Sequence, residues 1–352
     1  MRLDYYFLAF RKRFLRCVIA VLLAPTAVHA WDYNGHSIIN QLALASLPTN
    51  FPAFVFSPPQ RERIAFLSGE PDRWRNNNDL ALRNASSPDH YMDLEELKFA
   101  DLTPEQLPPL RYTFVAMFAT ARAAHPDRFP AIDPDSDRDQ TRELTGFLPW
   151  TILEYTDKLE SCFSYLKTFE RAGGTPGEIA NAQANAIYVM GVMGHFVGDG
   201  SQPLHTTVHF NGWTGENPHG YTTSHSFHSW IDGGYFRKTG EPVLESLAGK
   251  IHPAEKVGDP ARPDGLFRAI TAYLVEQNKL VEPLYQLEKD GKLSGDGDQG
   301  MAGRAFLEDQ LVKGGQMLGN IWLTAWLAAP EDLYLRRQLE QRRNETAVAP
   351  SK

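Results

Sequence analysis

Histidines are concentrated in one stretch of the sequence. Six of the eleven lie between residues 195 and 228. In two places an aspartate follows a histidine by four residues: Asp199 follows His195, and Asp232 follows His228. Residues four apart on an α-helix project from one face, at the separation that a zinc ion with ligand bonds of about 2.0–2.2 Å requires. The repeated spacing, with His205 as a further imidazole between the two pairs, indicates a metal site.

The alternatives to a metal site are a surface ion pair and a nucleophilic enzyme. One pair at this spacing is typical of a helix-surface ion pair worth roughly a few tenths of a kcal/mol, but two pairs within 38 residues on apolar helices favour a metal. The sequence has no G-x-S-x-G motif, Walker loop or dinucleotide fingerprint. Cys162 lies in an apolar helical stretch typical of a small buried hydrophobe. We interpret His209, His219 and His225 as loop or helix residues, with His225 as the replacement if His228 is not a ligand.

Two clusters upstream also contain candidate ligands. Residues 69–75 read GEPDRWR and residues 86–94 read SSPDHYMDL, so Asp72 and His90 lie among turn residues, beside aromatic side chains and arginine. Taken alone, these are a loop acid and a loop histidine, which are more often structural than catalytic.

The N-terminus has the pattern of a secretory signal peptide. A basic stretch at residues 11–16 precedes an apolar run that is too short for a membrane span of about 20 residues. Small residues ending at Ala30 predict cleavage there, so residues 1–30 are the signal and the protein is secreted or periplasmic. Trp31 then becomes the first residue, and His36 follows five residues later. The alternative is an uncleaved N-terminal anchor; we expect no stable membrane span after signal removal.

The charge balance excludes one way of binding nucleic acid. The 352 residues carry a net charge of −8. Because residues 1–30 hold five basic side chains and one acid, the remaining chain has 30 basic and 42 acidic side chains and a net charge of −12. A protein that neutralises a polyanion through a broad basic surface would carry the opposite charge. No sequence feature indicates a protein partner, and we expect a monomer.

Apolar residues recur at a spacing of three to four along most of the chain, which is typical of α-helices, and alternating strand patterns are scarce. We expect an all-α fold: a single mainly helical domain with long loops over residues 31–340, followed by a disordered tail at 341–352. The expected irregular connections are residues 70–90, 125–141, 209–223, 240–263 and 287–303. Since Cys162 is the one cysteine after the signal, the core, bound metal or both must hold the fold together.

Taken in order, these elements resemble one superfamily. They are a tryptophan exposed by signal cleavage, an early histidine, a loop aspartate and a loop histidine, and two H-x-x-x-D pairs with a histidine between them, over residues 31–232. The chain is similar to the trinuclear-zinc phosphodiesterases, which comprise the bacterial zinc-dependent phospholipases C and the S-one/P-one single-strand-specific nucleases. The resemblance implies a helical phospholipase C/nuclease-like fold around a trinuclear zinc site.

The resemblance also implies which residues would hold three zinc ions. The first would be held by Asp72, His90, His195 and Asp199, the second by the α-amino and carbonyl groups of Trp31, by His36 and by Asp199 as a bridging carboxylate, and the third by His205, His228 and Asp232. Nitrogen and carboxylate ligands suit zinc. The α-amino ligand would exist only after signal cleavage, because before cleavage that nitrogen belongs to an amide.

The reaction implied by the resemblance is metal-assisted hydrolysis of a phosphodiester. A zinc-activated hydroxide attacks phosphorus in line, so Asp72, His195 and Asp199 act through the metal. The local positive charge of the zinc ions would attract a phosphate even though the chain is acidic. Arg75 follows Asp72 by three residues, a D-x-x-R spacing similar to that of the nuclease branch. It would fix that carboxylate or contact phosphate, or it is a surface arginine.

Two substrate classes compete within the superfamily. Phe210, Trp213 and Tyr221 would stack on bases of single-stranded nucleic acid or nucleotides, form an apolar rim for phospholipid chains, or pack under a long loop. The last ligand is Asp232, as in the nuclease branch, whereas the phospholipase branch has glutamate there. Against the nuclease hypothesis, fungal members carry disulfides that this chain cannot form. We favour a single-strand nuclease or 3'-nucleotidase over a phospholipase C, and keep a non-catalytic zinc-stabilised protein as a third class.

Overall fold

The computed structural model describes residues 31–135 and 137–348 of the chain. Within these residues the backbone forms helices joined by loops, and β-structure is limited to an isolated bridge between Phe210 and Gly212. The expected all-α, single mainly helical domain is confirmed. The predicted signal peptide at residues 1–30 and residues 349–352 of the predicted tail lie outside the described residues.

The helices differ widely in length, and several short ones lie between the long ones. The α-helices are α1 (Tyr33–Ser46), α2 (Pro58–Leu67), α3 (Glu70–Arg75), α4 (Leu80–Ser86), α5 (Arg111–Ala124), α6 (Leu148–Ala172), α7 (Pro176–Ser201), α8 (Phe227–Ser229), α9 (Tyr235–Thr239), α10 (Leu244–Ala248), α11 (Gly265–Asn278), α12 (Val281–Lys289), α13 (Gly297–Met301), α14 (Arg304–Ala328) and α15 (Leu333–Val348). A π-helix, Trp230–Gly234, joins α8 to α9, and 3-10 turns occupy Ala53–Phe56, Ser87–His90, Leu94–Ala100, Pro104–Gln106, Pro126–Arg128 and Pro203–Thr206. None of the described helices combines the length and the apolar character needed to cross a bilayer.

Helices α1, α6, α7 and α14 form the centre of the domain. α14 packs along α1, and α7 packs against both α6 and α14. Large apolar side chains fill the space between them, including Trp150, Phe163, Phe196 and Trp322, all of which are buried. Because removing apolar surface from water contributes about 25 cal/mol per Å², this core is the main stabilising term for the helices that carry the site.

The sequence of α7 explains why its last three turns are buried. Pro176 occupies the first turn, where its missing N–H has no partner to lose, and a capping box precedes it: Thr175 Oγ1 accepts from Glu178 N–H, and the Glu178 carboxylate accepts from Thr175 N–H. From residue 190 to Ser201 every residue is buried, and many of them are glycine or apolar. α7 therefore enters the interior and carries His195 and Asp199 with it.

Glycines allow α7 to approach α1 closely. A Cβ atom at Gly194 would lie 1.7 Å from Oδ1 of Asn40, and one at Gly198 would lie 2.8 Å from Nδ1 of His36. Asn40 also donates a hydrogen bond from Nδ2 to the carbonyl of Gly191, at 3.0 Å. This contact places His36, on α1, opposite the buried end of α7.

Residues 70–90 are more regular than the sequence indicated. Instead of an irregular connection, the structure has α3, α4 and the 3-10 turn Ser87–His90 in this segment. Pro71 lies in the first turn of α3, and Asp79 caps α4 by accepting from Leu82 N–H at 2.9 Å. Both helices are too short for apolar periodicity to reveal them; α3 begins with a proline in its first turn and α4 with a capping aspartate.

The predicted disordered tail is helical as far as the structure describes it. α15 continues to Val348, and Arg342 donates to both carboxylate oxygens of Glu178, at 2.8 and 3.0 Å. Leu339, one turn earlier, is only 3% exposed. The helix persists beyond residue 340 because it packs against α6 and pairs with Glu178 at the start of α7, which the local sequence does not reveal.

Candidate metal centre

Three groups of buried histidine and aspartate side chains lie together around the end of α7. Within each group, the nitrogen and oxygen atoms that could bind a metal ion lie within 4.8 Å of one another. The groups are His36, Asp72 and His195; His90, His195 and Asp199; and His205, His228 and Asp232. All eight side chains are buried, and all eight are ones that the sequence and the resemblance predicted. These groups could bind a metal ion.

Asp199 lies where the first two groups meet. Its Oδ1 is 3.5 Å from Nε2 of His36, and its Oδ2 is 2.9 Å from Nδ1 of His90 and 3.4 Å from Nε2 of His195. His36 and His195 stack with ring centroids 3.9 Å apart. One carboxylate thus faces imidazoles from α1, from α7 itself and from the Ser87–His90 turn.

Helix α3 presents Asp72 and Arg75 to the same region. Arg75 donates from Nε to Oδ1 of Asp72 at 2.8 Å, and that oxygen lies 3.8 Å from Nε2 of His195. The two residues are three apart, so they lie on one face of the helix. The predicted D-x-x-R contact is therefore formed, and Arg75 also lines the adjoining pocket.

The third group combines a turn and a π-helix. Nε2 of His205 lies 3.1 Å from Nε2 of His228, which in turn lies 3.0 Å from Oδ2 of Asp232. His228 belongs to α8, and Asp232 lies in the π-helix Trp230–Gly234 that follows it. The wider turn of a π-helix changes the direction in which Asp232 points, and such single turns are frequent at functional sites.

Hydrogen bonds behind the ligand atoms fix their orientation. Nδ1 of His195 lies 2.7 Å from the carbonyl of Ser68, and Nδ1 of His205 lies 2.6 Å from the carbonyl of His90. When Nδ1 is protonated and donates to that carbonyl, Nε2 is the unprotonated nitrogen, which is the form that binds a metal. Gln202 similarly donates from Nε2 to Oδ1 of Asp232 at 2.7 Å, leaving Oδ2 towards His228.

The chemistry of these side chains fits a bound cation. Both ring nitrogens of His36, Nε2 of His90 and Oδ1 of Asp199 are buried and have no hydrogen-bond partner. A buried polar atom without a partner costs about 1–3 kcal/mol, and several in one place are unusual in a folded protein. A cation coordinated by these atoms would remove that cost.

Burial shifts the pKa values of these groups, lowering those of the histidines and raising those of the aspartates. Burial lowers the pKa of His36 and of His205, and neighbouring imidazoles lower both further. Burial lowers the pKa of His228 to about 3. These histidines are therefore neutral at pH 7, the form that binds metals. Burial raises the pKa of Asp199 and of Asp232, a shift that a nearby cation would reverse.

Trp31 is buried against the end of α7. Its side chain is fully buried, and its indole N–H donates to Oγ of Ser201 at 3.1 Å, at the end of α7. The next residue, Asp32, donates its backbone N–H to the carbonyl of Asp232 at 3.0 Å. Residues 31 and 32 thereby contact both the end of α7 and the π-helix that carries Asp232.

A pocket opens beside the third group. Its walls include Arg75, Tyr91, Asp93, Arg142 and Phe210, together with His205 and His228. The guanidinium of Arg142 lies 5.7 Å from the centre of the Phe210 ring. Of the three aromatic residues proposed for substrate, Phe210 therefore reaches the pocket.

Trp213 and Tyr221 do not line this pocket. Their ring centroids lie 4.8 Å apart, and both pack against the buried ring of Tyr285. Trp213 also stacks on His209 at 3.9 Å. Trp213 and Tyr221 therefore pack under the long loop instead of facing a substrate, because the loop folds back on α12. In the described part of the chain, His209, His219 and His225 belong to no metal-binding group.

The sequence did not single out Tyr91, Asp93 and Arg142. Tyr91 directly follows His90 and has extended backbone (φ −147°, ψ 169°). Asp93 comes two residues later. Alternate residues of an extended segment project to the same side, which is why Tyr91 and Asp93 both line the pocket. Arg142 follows an irregular loop, and no local pattern indicates its position.

Comparisons with known proteins give no further identification. No family model, no curated protein and no solved structure matches the chain. The arrangement of the buried histidines and aspartates is therefore the basis for assigning a function.

Proposed function

We propose that this protein is a zinc-dependent phosphodiesterase of the trinuclear-zinc type that hydrolyses nucleic acid or nucleotide phosphoesters. The observation that carries the proposal is the position of Asp199, whose two oxygens face His36 and His90 while a third His/Asp group adjoins them. A structural zinc site is usually closed by four ligands of its own. Adjoining groups of three that share a residue and border a pocket favour catalysis instead.

The donor atoms favour zinc over other divalent ions. Five imidazoles and three carboxylates make up the eight side chains, with no thiolate among them. Imidazole combined with carboxylate is a common zinc environment, whereas magnesium and calcium prefer oxygen ligands. When bound, zinc supplies Lewis acidity towards phosphoryl oxygens and lowers the pKa of a water nucleophile towards about 7.

The remaining contribution to phosphate binding comes from two arginines. Arg75 lines the pocket while donating to Asp72, and Arg142 also lines it, beside Phe210. A guanidinium donates paired hydrogen bonds that match the oxygens of a phosphate. Local cations of this kind allow an acidic protein to bind a phosphodiester without a broad basic surface.

The pocket lining favours a nucleotide over a lipid. The half-buried ring of Phe210 lines the pocket and would stack on a base, and the carboxyl oxygens of Asp93 would accept hydrogen bonds from base amino groups. Tyr91, which also lines the pocket, directly follows His90 and precedes Asp93 by two residues. A pocket with charged side chains on its walls would disfavour acyl chains.

A phospholipase C is the second candidate. Leu80 and Leu82 on α4 are 43% and 37% exposed, and α4 leads directly into Ser87, a pocket residue. Exposed leucines near the entrance of a site could contact the surface of a lipid aggregate. The acidic pocket side chains would then bind a cationic head group.

Protein beginning at Trp31 should be tested for bound zinc and for hydrolysis of bis(p-nitrophenyl) phosphate, single-stranded DNA and phosphatidylcholine. The proposal expects zinc-dependent turnover that is faster on DNA than on lipid and is abolished in His195→Ala. His125→Ala, a change at an exposed histidine, is the matched control. Faster hydrolysis of phosphatidylcholine would favour the phospholipase. Bound zinc without turnover on any substrate would leave only a zinc-stabilised protein.

A further inference from the structure

Asp32 connects three separate segments of the protein. Its Oδ1 accepts from the backbone N–H of Gly35 at 3.2 Å and so caps α1. Its own backbone N–H donates to the carbonyl of Asp232 in the π-helix at 3.0 Å. Its Oδ2 accepts from Nη1 of Arg237 on α9 at 2.9 Å. One residue thus joins the start of α1 to the π-helix and to the helix that follows it.

These segments carry members of different metal-binding groups. α1 carries His36 of the first group, and the π-helix carries Asp232 of the third. Trp31, directly before Asp32, is bonded through its indole to Ser201, and the hydroxyl of Ser201 donates to the carbonyl of Gly198 at 2.8 Å. The relative position of the groups therefore depends on how residues 31 and 32 are held.

The backbone next to Asp232 is shaped to accept the ion pair. A Cβ atom at Gly233 would lie 2.2 Å from Oδ2 of Asp32 and 2.5 Å from Nη1 of Arg237. The carboxylate and the guanidinium therefore lie directly on the main chain of the residue after Asp232. Any larger residue at position 233 would displace them.

The ion pair contributes little to global stability, so its position suggests another role. The side chain of Asp32 is 22% exposed and that of Arg237 is 58% exposed. Exposed ion pairs of this kind contribute about 0–1 kcal/mol to folding. A weak contact can still fix the direction of a short segment, as the partners of metal ligands commonly do.

We propose that Asp32 and Arg237 are positioning residues for the metal centre. They hold the main chain of Trp31 and the first turn of α1 against the π-helix, so that the group containing His36 and the group containing Asp232 keep the spacing needed to bind metal together. This inference depends on the proposed zinc function. Neither residue touches substrate, and neither is a ligand.

The test measures zinc affinity by competition with a chelator in Arg237→Gln, Asp32→Asn and the double variant. Asparagine retains an oxygen that can cap α1, so Asp32→Asn removes mainly the ion pair. We expect each single variant to bind zinc about tenfold more weakly. The double variant should be no worse than either single one, because both changes remove the same contact. Arg237→Lys, which keeps the charge, should retain most of the affinity.

The matched control is Arg128→Gln, which breaks an exposed arginine–aspartate pair with Asp101 (2.8 Å) that is remote in sequence from all the ligands. Zinc affinity should not change in this variant. Melting temperatures measured with zinc and after chelation provide the second readout. Arg237→Gln should lower the melting temperature with zinc more than the melting temperature after chelation. Equal lowering with wild-type zinc affinity would overturn the positioning role alone. A wild-type protein that binds no zinc would overturn this inference and the proposed function together, whereas zinc binding without turnover would overturn only the function.

Discussion

Oδ2 of Asp199 lies 2.9 Å from Nδ1 of His90, although the two residues are 109 positions apart in the chain. Both side chains are fully buried. The contact joins the inner end of α7 to the short turn Ser87–His90. A carboxylate in this place binds His90 on one side and faces His36 on the other, and the metal-dependent predictions below rest on it.

Replacing Asp199 by alanine should remove zinc and activity. We expect phosphodiester hydrolysis to fall by at least ~100-fold, because the carboxylate that faces both His36 and His90 is lost, and even outer partners of ligands change activity about 10–100-fold. Zinc content measured by plasma emission spectroscopy should fall by at least one ion per chain. Asp309→Ala, at a residue whose side chain is 56% exposed, is the control. Full zinc content in Asp199→Ala would refute the bridging role.

Removing the metal should destabilise the protein strongly. Free zinc at about 1,000 times its dissociation constant adds about 4 kcal/mol to stability, which corresponds to a melting temperature roughly 6 °C higher for a domain of this size. Chelation should therefore lower the melting temperature by about that amount, and added zinc should restore it. The same treatment of His195→Ala should produce a much smaller shift. An unchanged melting temperature in the wild type would show that the buried nitrogens hold no metal.

Keeping Ala30 before Trp31 should weaken the centre. The resemblance makes the α-amino group of Trp31 a ligand, and an extra residue converts that group into an amide that cannot coordinate. We expect about one zinc fewer per chain and a loss of activity of about 100-fold or more. Both preparations must be compared at equal purity and zinc supply. Equal zinc content and rate in the longer protein would rule out the N-terminal ligand.

Phe210 and Trp213 should respond differently to truncation. Phe210→Ala should raise KM for a nucleotide substrate about tenfold, because base stacking is worth about 1–3 kcal/mol, and should change the melting temperature little. Trp213→Ala should instead lower stability by about 1–3 kcal/mol, since Trp213 packs against Tyr285 and His209. Urea denaturation and steady-state kinetics on both variants distinguish the two roles. The reverse assignment would indicate that Trp213 contacts substrate.

Glu178 should stabilise the protein only above acidic pH. The Arg342 guanidinium, together with the backbone N–H of Thr175, lowers the pKa of Glu178 to about 2. Because the folded pKa lies below the usual value of about 4.5, the stabilisation is complete above the unfolded pKa and is lost as the pH falls towards 2. The group is exposed, so we expect only roughly a few tenths of a kcal/mol. Glu178→Gln keeps an oxygen for the capping box and removes the charge.

Urea midpoints of wild-type protein and Glu178→Gln at several pH values provide the measurement. The two midpoints should differ at pH 6 and converge as the pH approaches 2. Glu216→Gln, at an exposed loop position, should show no such difference. A constant difference at all pH values would mean that the charge of Glu178 is not the cause.

The sequence predicts the candidate metal-binding residues better than it predicts the residues around them. His195, Asp199, His228 and Asp232 are recognisable because ligand pairs on helices require a fixed spacing, which survives in any fold that uses them. The all-α class follows from apolar periodicity for a similar reason: the long helices bury one face each. Both predictions depend on local geometry, and both are consistent with the structure.

Features that depend on contacts between distant segments could not be predicted in this way. Nothing near Trp213 indicates that its loop folds back onto Tyr285 rather than onto the pocket. Likewise, residues after 340 look like a polar tail until Arg342 is seen to contact Glu178 at the start of α7. Asp93 was missed because a single acid beside a predicted ligand has no pattern of its own. For Trp213 and Arg342, the deciding contact joins residues more than 60 positions apart. For Asp93, no repeated spacing in the sequence marks the residue.

The close approach of α7 to α1 has one more consequence. At Gly194 and Gly198 the two helices are separated by a distance that leaves no room for a methyl group. His36 lies on one helix and Asp199 on the other, so the 3.5 Å between Nε2 of His36 and Oδ1 of Asp199 depends on how closely the two helices pack. A methyl group at Gly198 would meet the ring of His36 itself, and one at Gly194 would meet Asn40 one turn along α1, so either substitution would change that distance.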